Sequence, residues 1–289
     1  VVTDAPGAVT VGSLPGGPAP PRGFAGKSLA APTVVRQRVR VLDDHFAGEV
    51  AARYDETLGD MGSPEVLGPI VDLLTELAGD GAALEMAIGT GRVALPLADR
   101  GVPVSGIELS RDMAAQLRAK PGGERIPVTI GDMASVRVDG TFRLVYLLDN
   151  TIGNLETQDR QAACFANAAA HLEPGGHFVI DMVVPDLRRL VPGKDTVVFA
   201  HRPGYVGFDH YDDLVAQHAV SHHVTTDAAG TREVRTPWRY VWPSELDLMA
   251  RLAGLHLRGR WADWTRSSFT GDSPSHVSVW RRPAATGAR

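Results

Sequence analysis

One junction restricts this chain more than any other feature. A short apolar run at residues 82–87 leads into Gly89-Thr90-Gly91, and helical spacing resumes at about Arg92. A chain that leaves a buried strand and enters a helix so quickly needs positions without a bulky Cβ, and such a turn lets a ligand approach the backbone closely. The alternation then continues. Residues 102–108 read as a strand, 111–120 as a helix, 128–130 and 142–148 as strands, and 158–172 as a helix. Glu173-Pro-Gly-Gly176 reads as a stop and turn, with a fifth strand at 177–184. Strands alternating with helices in this way predict a parallel sheet covered on both faces.

The flanks obey other rules. Roughly the first 33 residues are dense in Gly, Pro and Ala, as in Leu14-Pro-Gly-Gly-Pro-Ala-Pro-Pro21. Such a segment buries too little surface to offset its ordering entropy, so residues 1–38 are expected to be disordered. The chain opens Val1-Val2 rather than Met, and part of this segment is read as the product of a start codon placed too far upstream. Residues 39–80 form an expected helical lid. Phe46, Val50 and Tyr54 recur every fourth residue, and Ser63-Pro64-Glu65 supplies an N-cap, a first-position proline and an acidic first turn. After Pro185 the period falls to two at 196–200, 214–225 and 232–240, with no helix between. This predicts an antiparallel flap at about 190–240, inserted in a core spanning 81–289. A helix at 244–253 and strands near 255–261 and 276–281 close the chain. The expected fold is α/β: a Rossmann-like doubly wound sheet of about seven strands, mostly parallel with an antiparallel last strand, plus the flap.

Composition excludes several partners. A chain of 289 residues with a formal net charge of −5 and no compact Lys/Arg block is a poor match for a nucleic-acid backbone. Cys164 is the single cysteine, which rules out an internal disulfide and a cysteine-based zinc site. No apolar run is long enough to span a bilayer and no signal-peptide core is evident, so the expectation is a cytoplasmic protein without a membrane partner. A homodimer is allowed for, and no metal is expected.

The glycine turn alone does not choose a cofactor. Gly89-x-Gly91-x-x-Ala94 also fits a dinucleotide fingerprint, and Glu108 lies near where a ribose-binding acid belongs, so a nicotinamide-dependent oxidoreductase is a serious rival. The carboxylates separate the two readings. Glu85 lies inside the first strand, Glu108 ends the second, and Asp132 follows the third in Ile130-Gly-Asp-Met133. Ligands of open parallel sheets bind beyond the carboxyl ends of the strands, so these acids converge on one crevice. Three carboxylates repel a pyrophosphate. They suit a ligand with a sulfonium, an ammonium, two ribose hydroxyls and an adenine amino group, which describes S-adenosylmethionine.

These residues closely resemble the class I S-adenosylmethionine-dependent methyltransferases over roughly 45–185, with a weaker C-terminal likeness. The segment from Ala83 to Leu97 is similar to the family's first motif and Val104-Ser-Gly-Ile-Glu-Leu-Ser110 to its second. Gly131-Asp-Met133 resembles the adenine-contacting motif, and Leu172-Glu-Pro-Gly-Gly-His-Phe178 the turn before the fifth strand. Ala87 departs from the family's usual glycine. The resemblance implies that Glu85 and the backbone around Ala87 and Gly89 hold the methionine portion, with Gly91 also cofactor-binding, Glu108 the ribose hydroxyls and Asp132 the adenine amino group. It places Leu109 and Met133 against the adenine ring, and Asp149 and Asn150 near the reacting methyl. Tyr54 is similar in placement to lid tyrosines.

Methyl transfer from a sulfonium needs alignment and desolvation more than a fixed catalytic group, although a base helps a phenol, alcohol or ammonium acceptor. His210, beside Tyr211, is the candidate base. Asn154, Phe208, Tyr240, Trp261 and Trp264 are candidates for lining an acceptor pocket. His222 and His223 are set aside, since neighbours on a strand point to opposite faces. Leu148-Asp-Asn-Thr-Ile-Gly-Asn154 lacks the motif of DNA amino-methylases. A small-molecule acceptor follows, with O or N ahead of C, and natural-product tailoring as the family-level expectation. A non-catalytic S-adenosylmethionine-binding protein is the remaining alternative.

Overall fold

The computed structural model describes residues 44–228 and 230–284; the segment 1–38 expected to be disordered, and the first residues of the expected lid, lie outside the described residues. Helix α1 (Glu49–Thr57) is followed by α2 (Pro64–Ala78), which starts where the sequence places it: the Ser63 hydroxyl accepts the Val66 N–H and Pro64 takes the first turn. The core then alternates β1 (Ala83–Met86), α3 (Ala94–Asp99), β2 (Val104–Glu108), α4 (Arg111–Ala119), β3 (Val128–Ile130), β4 (Phe142–Leu147), α5 (Gln158–His171) and β5 (Leu172–Val183). Ser110 and Thr157 cap α4 and α5.

The flap comprises β6 (Thr196–Arg202), β7 (Tyr205–Asp213), β8 (His218–Asp227) and β9 (Gly230–Arg239), and α6 (Pro243–Leu252), β10 (His256–Trp261) and β11 (Ser275–Arg281) complete the chain. The main sheet has seven strands in the order β10-β11-β5-β4-β1-β2-β3, and the flap is a separate four-stranded sheet in the order β6-β7-β8-β9. Strands β1 to β5 pair in parallel, while β11 runs antiparallel to both β5 and β10, as expected for the last strand.

Alternation along the strands feeds two cores. Val145 and Leu147 of β4 join Phe165, Phe178 and Trp280 beneath α5 and α6, whereas Leu144 and Tyr146 join Ile70, Leu74 and Leu97 beneath α2 and α3. Phe165 meets Phe178 and Trp280 edge-on at 5.1 and 5.3 Å between ring centres. Each such fully buried side chain contributes roughly 1.5–3 kcal/mol, which is why a sheet covered on both faces is the stable outcome.

Three sequence expectations are corrected. Glu173–Gly176 does not end in a free turn: β5 begins at Leu172, and because Phe142 pairs with Leu172 while Leu144 pairs with His177, the intervening residues are taken up as a bulge. Strand β7 was not foreseen, because Gly207 and the polar run Asp209-His-Tyr-Asp-Asp213 hide its alternation. Residues 214–217, expected to begin a strand, form the β7–β8 turn, in which Gln217 adopts φ 64°.

Candidate functional site

Strand order reverses between β1 and β4, and the two loops leaving that pair diverge to open a crevice outside the carboxyl ends. Glu85 stands at its floor. It is 5% exposed, and the phenol of Tyr146, its register partner on β4, donates to its carboxylate at 3.0 Å. Burial pushes Glu85 up to about 8, against the opposing pull of the Tyr146 hydrogen bond and the Arg92 guanidinium.

The loop after β1 bends through left-handed residues. Ala87, Gly89 and Gly91 have φ of 69°, 57° and 80°. A Cβ at Gly91 would stand 2.3 Å from Leu117 Cδ1, so close packing on α4 as well as conformation requires glycine there. The Gly89 N–H donates to Glu108 Oε2 at 2.7 Å and the Ser110 N–H to Oε1 at 2.8 Å. These bonds, with a further one from the Leu109 backbone, lock the carboxylate at the end of β2 and leave it acceptor capacity for another donor.

Arg92 follows immediately. Its guanidinium pairs with Asp149 and donates to the Met61 carbonyl at 3.0 Å, with little of the side chain exposed. Asp149 and Asn150 are themselves left-handed, at φ 57° and 59°. Both are pinned to the end of β5: Asp181 accepts the Asp149 N–H at 2.7 Å, and Asn150 Oδ1 accepts the Val183 N–H at 2.6 Å. Burial, then the neighbouring Asp149, pushes Asp181 up to about 7, opposed by hydrogen bonds from the Asp149 N–H and the Trp264 side chain.

Helix α1 is tied to the same loop. Asp55 accepts from the Thr90 hydroxyl at 2.6 Å and pairs with Lys120 at 2.6 Å, while Lys120 also donates to the Thr90 carbonyl. Upstream, the Gly48 N–H donates to Asp112 at 2.7 Å. Tyr54, on the same helix, lies near enough to Asp149, Arg92 and Glu108 to feel their charges. Burial pushes its phenol up to about 12, reinforced by Asp149 and offset by Arg92.

The remaining predicted residues divide. Asp132 follows β3 as expected but is engaged by Arg160 at 2.9 Å, and Met133 is a core residue while Leu109 beside Glu108 is exposed. Asn154 closes the turn after β4, whose Gly153 packs near Trp238 of the flap. Tyr211 is on the Trp238 side, with ring contacts to Trp238 and Tyr240 at 6.3 and 6.0 Å. His210 points to the opposite face of β7, toward Asp212 at 3.1 Å and the His222 ring. Adjacent strand residues diverge, so the expected His210–Tyr211 pair does not share one site. Phe208 goes with His210, stacked on His222 at 4.5 Å. Tyr240 is almost fully buried with its hydroxyl donating to the Leu214 carbonyl, which makes it a structural residue. Trp264 reaches the crevice through Asp181, but Trp261 folds back over Gly259 and lines a separate cavity.

Sequence reasoning missed Arg92, Asp55 and Asp181. Asp181 carried the same signal as Glu85, an acid in an otherwise apolar strand. Arg92 had one too, as a cation immediately after the last loop glycine.

Comparison with known proteins agrees with this architecture. Residues 83–176 match the family described as a methyltransferase domain. The chain is 37% identical to the CcbJ methyltransferase from Streptomyces caelestis, covering 81% of this chain and 96% of that one, with a TM-score of 0.73. A dTDP-3-amino-3,4,6-trideoxy-alpha-D-glucopyranose N,N-dimethyltransferase of Streptomyces venezuelae is 32% identical over 116 residues. That alignment covers 39% of this chain and 47% of the relative, so the chain spans about half the length of that curated relative. CalS10, an amino pentose methyltransferase from Micromonospora echinaspora, shares the fold at a TM-score of 0.60 and 22% identity, over 82% of this chain and 98% of that one. No helix among the described residues is long and apolar enough to cross a membrane.

Proposed function

Because the chain belongs to the class I S-adenosylmethionine-dependent methyltransferases, we propose that it methylates an amine nitrogen of a small molecule in secondary metabolism, with S-adenosylmethionine as donor. The observation that carries the donor is the buried Glu85 carboxyl, which meets a phenol and the field of the Arg92 guanidinium but, among the described residues, no direct cationic partner. A buried acid pushed that far up gains most from an ammonium group placed beside it.

The other residues fit the same ligand. Glu108, fixed by backbone donors, keeps acceptor capacity for a ribose hydroxyl, and the left-handed Gly89 and Gly91 allow close backbone approach. We assign Asp132 and Leu109 to the adenine amino group and ring, and Arg92 to the methionine carboxylate. When bound, the sulfonium supplies an already activated methyl group, so alignment and exclusion of water dominate catalysis. Residues 44–80 act as the lid, with Tyr54 covering Asp149 and the flap closing the other side.

The amine acceptor is supported by the Streptomyces venezuelae and Micromonospora relatives, whose names specify amino-sugar methylation. An alkylammonium must lose a proton before it attacks. Burial and Asp209 push the Tyr211 phenol up to about 12, which suits it to positioning rather than proton removal. His223 lies on the same flap face, with Nδ1 2.8 Å from the Tyr205 hydroxyl. Burial and the neighbouring His222 hold it below its ordinary range, hence neutral and able to accept a proton. We assign it that role ahead of His210. Calorimetry with S-adenosylmethionine and NADPH, followed by mass spectrometry over a panel of nucleotide-linked amino sugars, tests the reading. Binding of NADPH alone refutes the donor; methylation of hydroxyl acceptors only refutes the amine.

A further inference from the structure

Away from the crevice, toward the amino ends of the parallel strands, the sheet carries a row of cations. Arg143 precedes Leu144 on β4; Leu144 pairs with His177 on β5, His177 with Arg281 on β11, and Arg281 with His256 on β10, two residues before Arg258. Register therefore brings basic side chains from four neighbouring strands to one level. Between Arg143, His177 and Arg258 of this row and the C-terminal end of α2 lies a cavity of about 460 Å³, also lined by Trp261, Arg266 and Glu76, with Arg281 just outside its wall. That volume is in the range of small-molecule sites.

The like charges converge. A Cβ at Gly175 would stand 3.3 Å from an Arg143 guanidinium nitrogen and 3.5 Å from one of Arg281, so both groups flank the same glycine. Compensation is incomplete. Glu76 grips Arg266 at 2.6 Å, but Glu173 reaches Arg143 only at 3.4 Å, in a half-exposed contact of little strength. Arg281 donates to the Gly175 carbonyl, and Arg258 has no ion-pair partner among the described residues. Burial and then the guanidiniums of Arg143, Arg281 and Arg258 hold His177 below its ordinary range, an independent sign that their fields overlap.

We propose that this cavity binds the phosphate or diphosphate group of a small molecule, at a site separate from the methyl-transfer crevice. Guanidinium forks match phosphate oxygens in pairs, and a multivalent oxyanion neutralises Arg143 and Arg258 together, where a carboxylate would leave charge in excess. Trp261, with Arg266 5.5 Å above its ring, offers a flat surface beside the anion for an attached ring system.

Titration calorimetry of the full chain at low ionic strength tests this, with inorganic pyrophosphate, inorganic phosphate, a nucleoside diphosphate and a single-stranded RNA oligonucleotide in parallel. One pyrophosphate per chain is expected. Arg258→Gln and Arg143→Gln should each weaken it about tenfold, with S-adenosylmethionine affinity unchanged. Arg258 is exposed and unpaired, so its variant keeps the fold. Tighter binding of the nucleoside diphosphate, lost in Trp261→Leu, identifies a nucleotide-like ligand; phosphate binding as tight as pyrophosphate identifies the free anion. No pyrophosphate heat, heat insensitive to both substitutions, displacement by S-adenosylmethionine, or stronger binding of the RNA each overturns the proposal.

Discussion

Replacing Glu85 by glutamine should stabilise the cofactor-free protein and abolish its ability to hold the donor. Burial pushes this carboxyl from an ordinary 4.5 up to about 8. An acid whose folded value is raised binds its proton more tightly when folded, so its contribution to stability falls as pH rises from about 4.5 to about 8. Linkage at roughly 1.4 kcal/mol per pH unit sets the penalty near pH 7.5 at about 4 kcal/mol, an upper bound because buried sites relax and admit water. Glutamine keeps an acceptor for the Tyr146 phenol but has no proton to lose. For a domain of this size that penalty corresponds to a Tm on the order of 10 °C higher for Glu85→Gln at pH 7.5. The gap should close toward pH 5. Saturating S-adenosylmethionine should reverse the order, because ligand stabilisation grows with the logarithm of concentration over Kd and the variant lacks the charge that binds the ammonium. Thermal melts of both proteins from pH 5 to 8, with and without donor, decide the matter. A variant no more stable than the parent at pH 7.5, or a gap independent of pH, refutes the reasoning.

Other substitutions test other links. Ala87→Gly relieves a left-handed alanine at φ 69° and should add about 1 kcal/mol in denaturant melts. Gly91→Ala should instead cost about 1–3 kcal/mol, since its Cβ would collide with Leu117, and should raise the donor KM. Arg239 is buried and binds Glu245 at 2.7 Å, Gln217 at 2.6 Å and Gln161 at 2.5 Å, so Arg239→Met should destabilise by about 3–5 kcal/mol, read in the same melts. His223→Gln should lower kcat by about a hundredfold near neutral pH with unchanged donor affinity, whereas His210→Gln should leave kcat within about threefold.

The sheet was legible because its signals were redundant. Apolar runs, the N-cap at Ser63 and the Gly89-Thr-Gly91 turn all agreed with the boundaries observed, and Ser110 and Thr157 cap the next helices in the structure. The acids were legible for a different reason: Glu85 and Glu108 sit where an apolar residue would otherwise be buried more cheaply. The flap was harder to read. Its strands are partly exposed on both faces, so residues such as His210 and Asp209 carry no pattern that marks which face meets the core. Trp261 misled for a related reason, because its ring turns back along β10 over Gly259, and only the bulge between Leu257 and Gly259 sets that direction.

What the sequence concealed at the crevice was backbone conformation. Both loops at the β1/β4 switch hold non-glycine residues in the left-handed region: Ala87 on one side, Asp149 and Asn150 on the other. Aspartate and asparagine tolerate it, whereas alanine pays about 1 kcal/mol. Each is held by fixed partners: the Ile88 N–H bonds the Ile107 carbonyl, Asp181 takes the Asp149 N–H, and Asn150 takes the Val183 N–H. Strain that persists under so many restraints has the character of preorganisation. It aims the Asp149 carboxylate at Arg92 and keeps the loop carrying Arg92 against Glu85, so the charges that receive the donor need little reorganisation when it binds. Relief of strain at Ala87 should therefore separate the two effects. Ala87→Gly gains stability, and if the preorganisation argument holds, that looser loop binds the donor more weakly even though no side-chain contact has been removed.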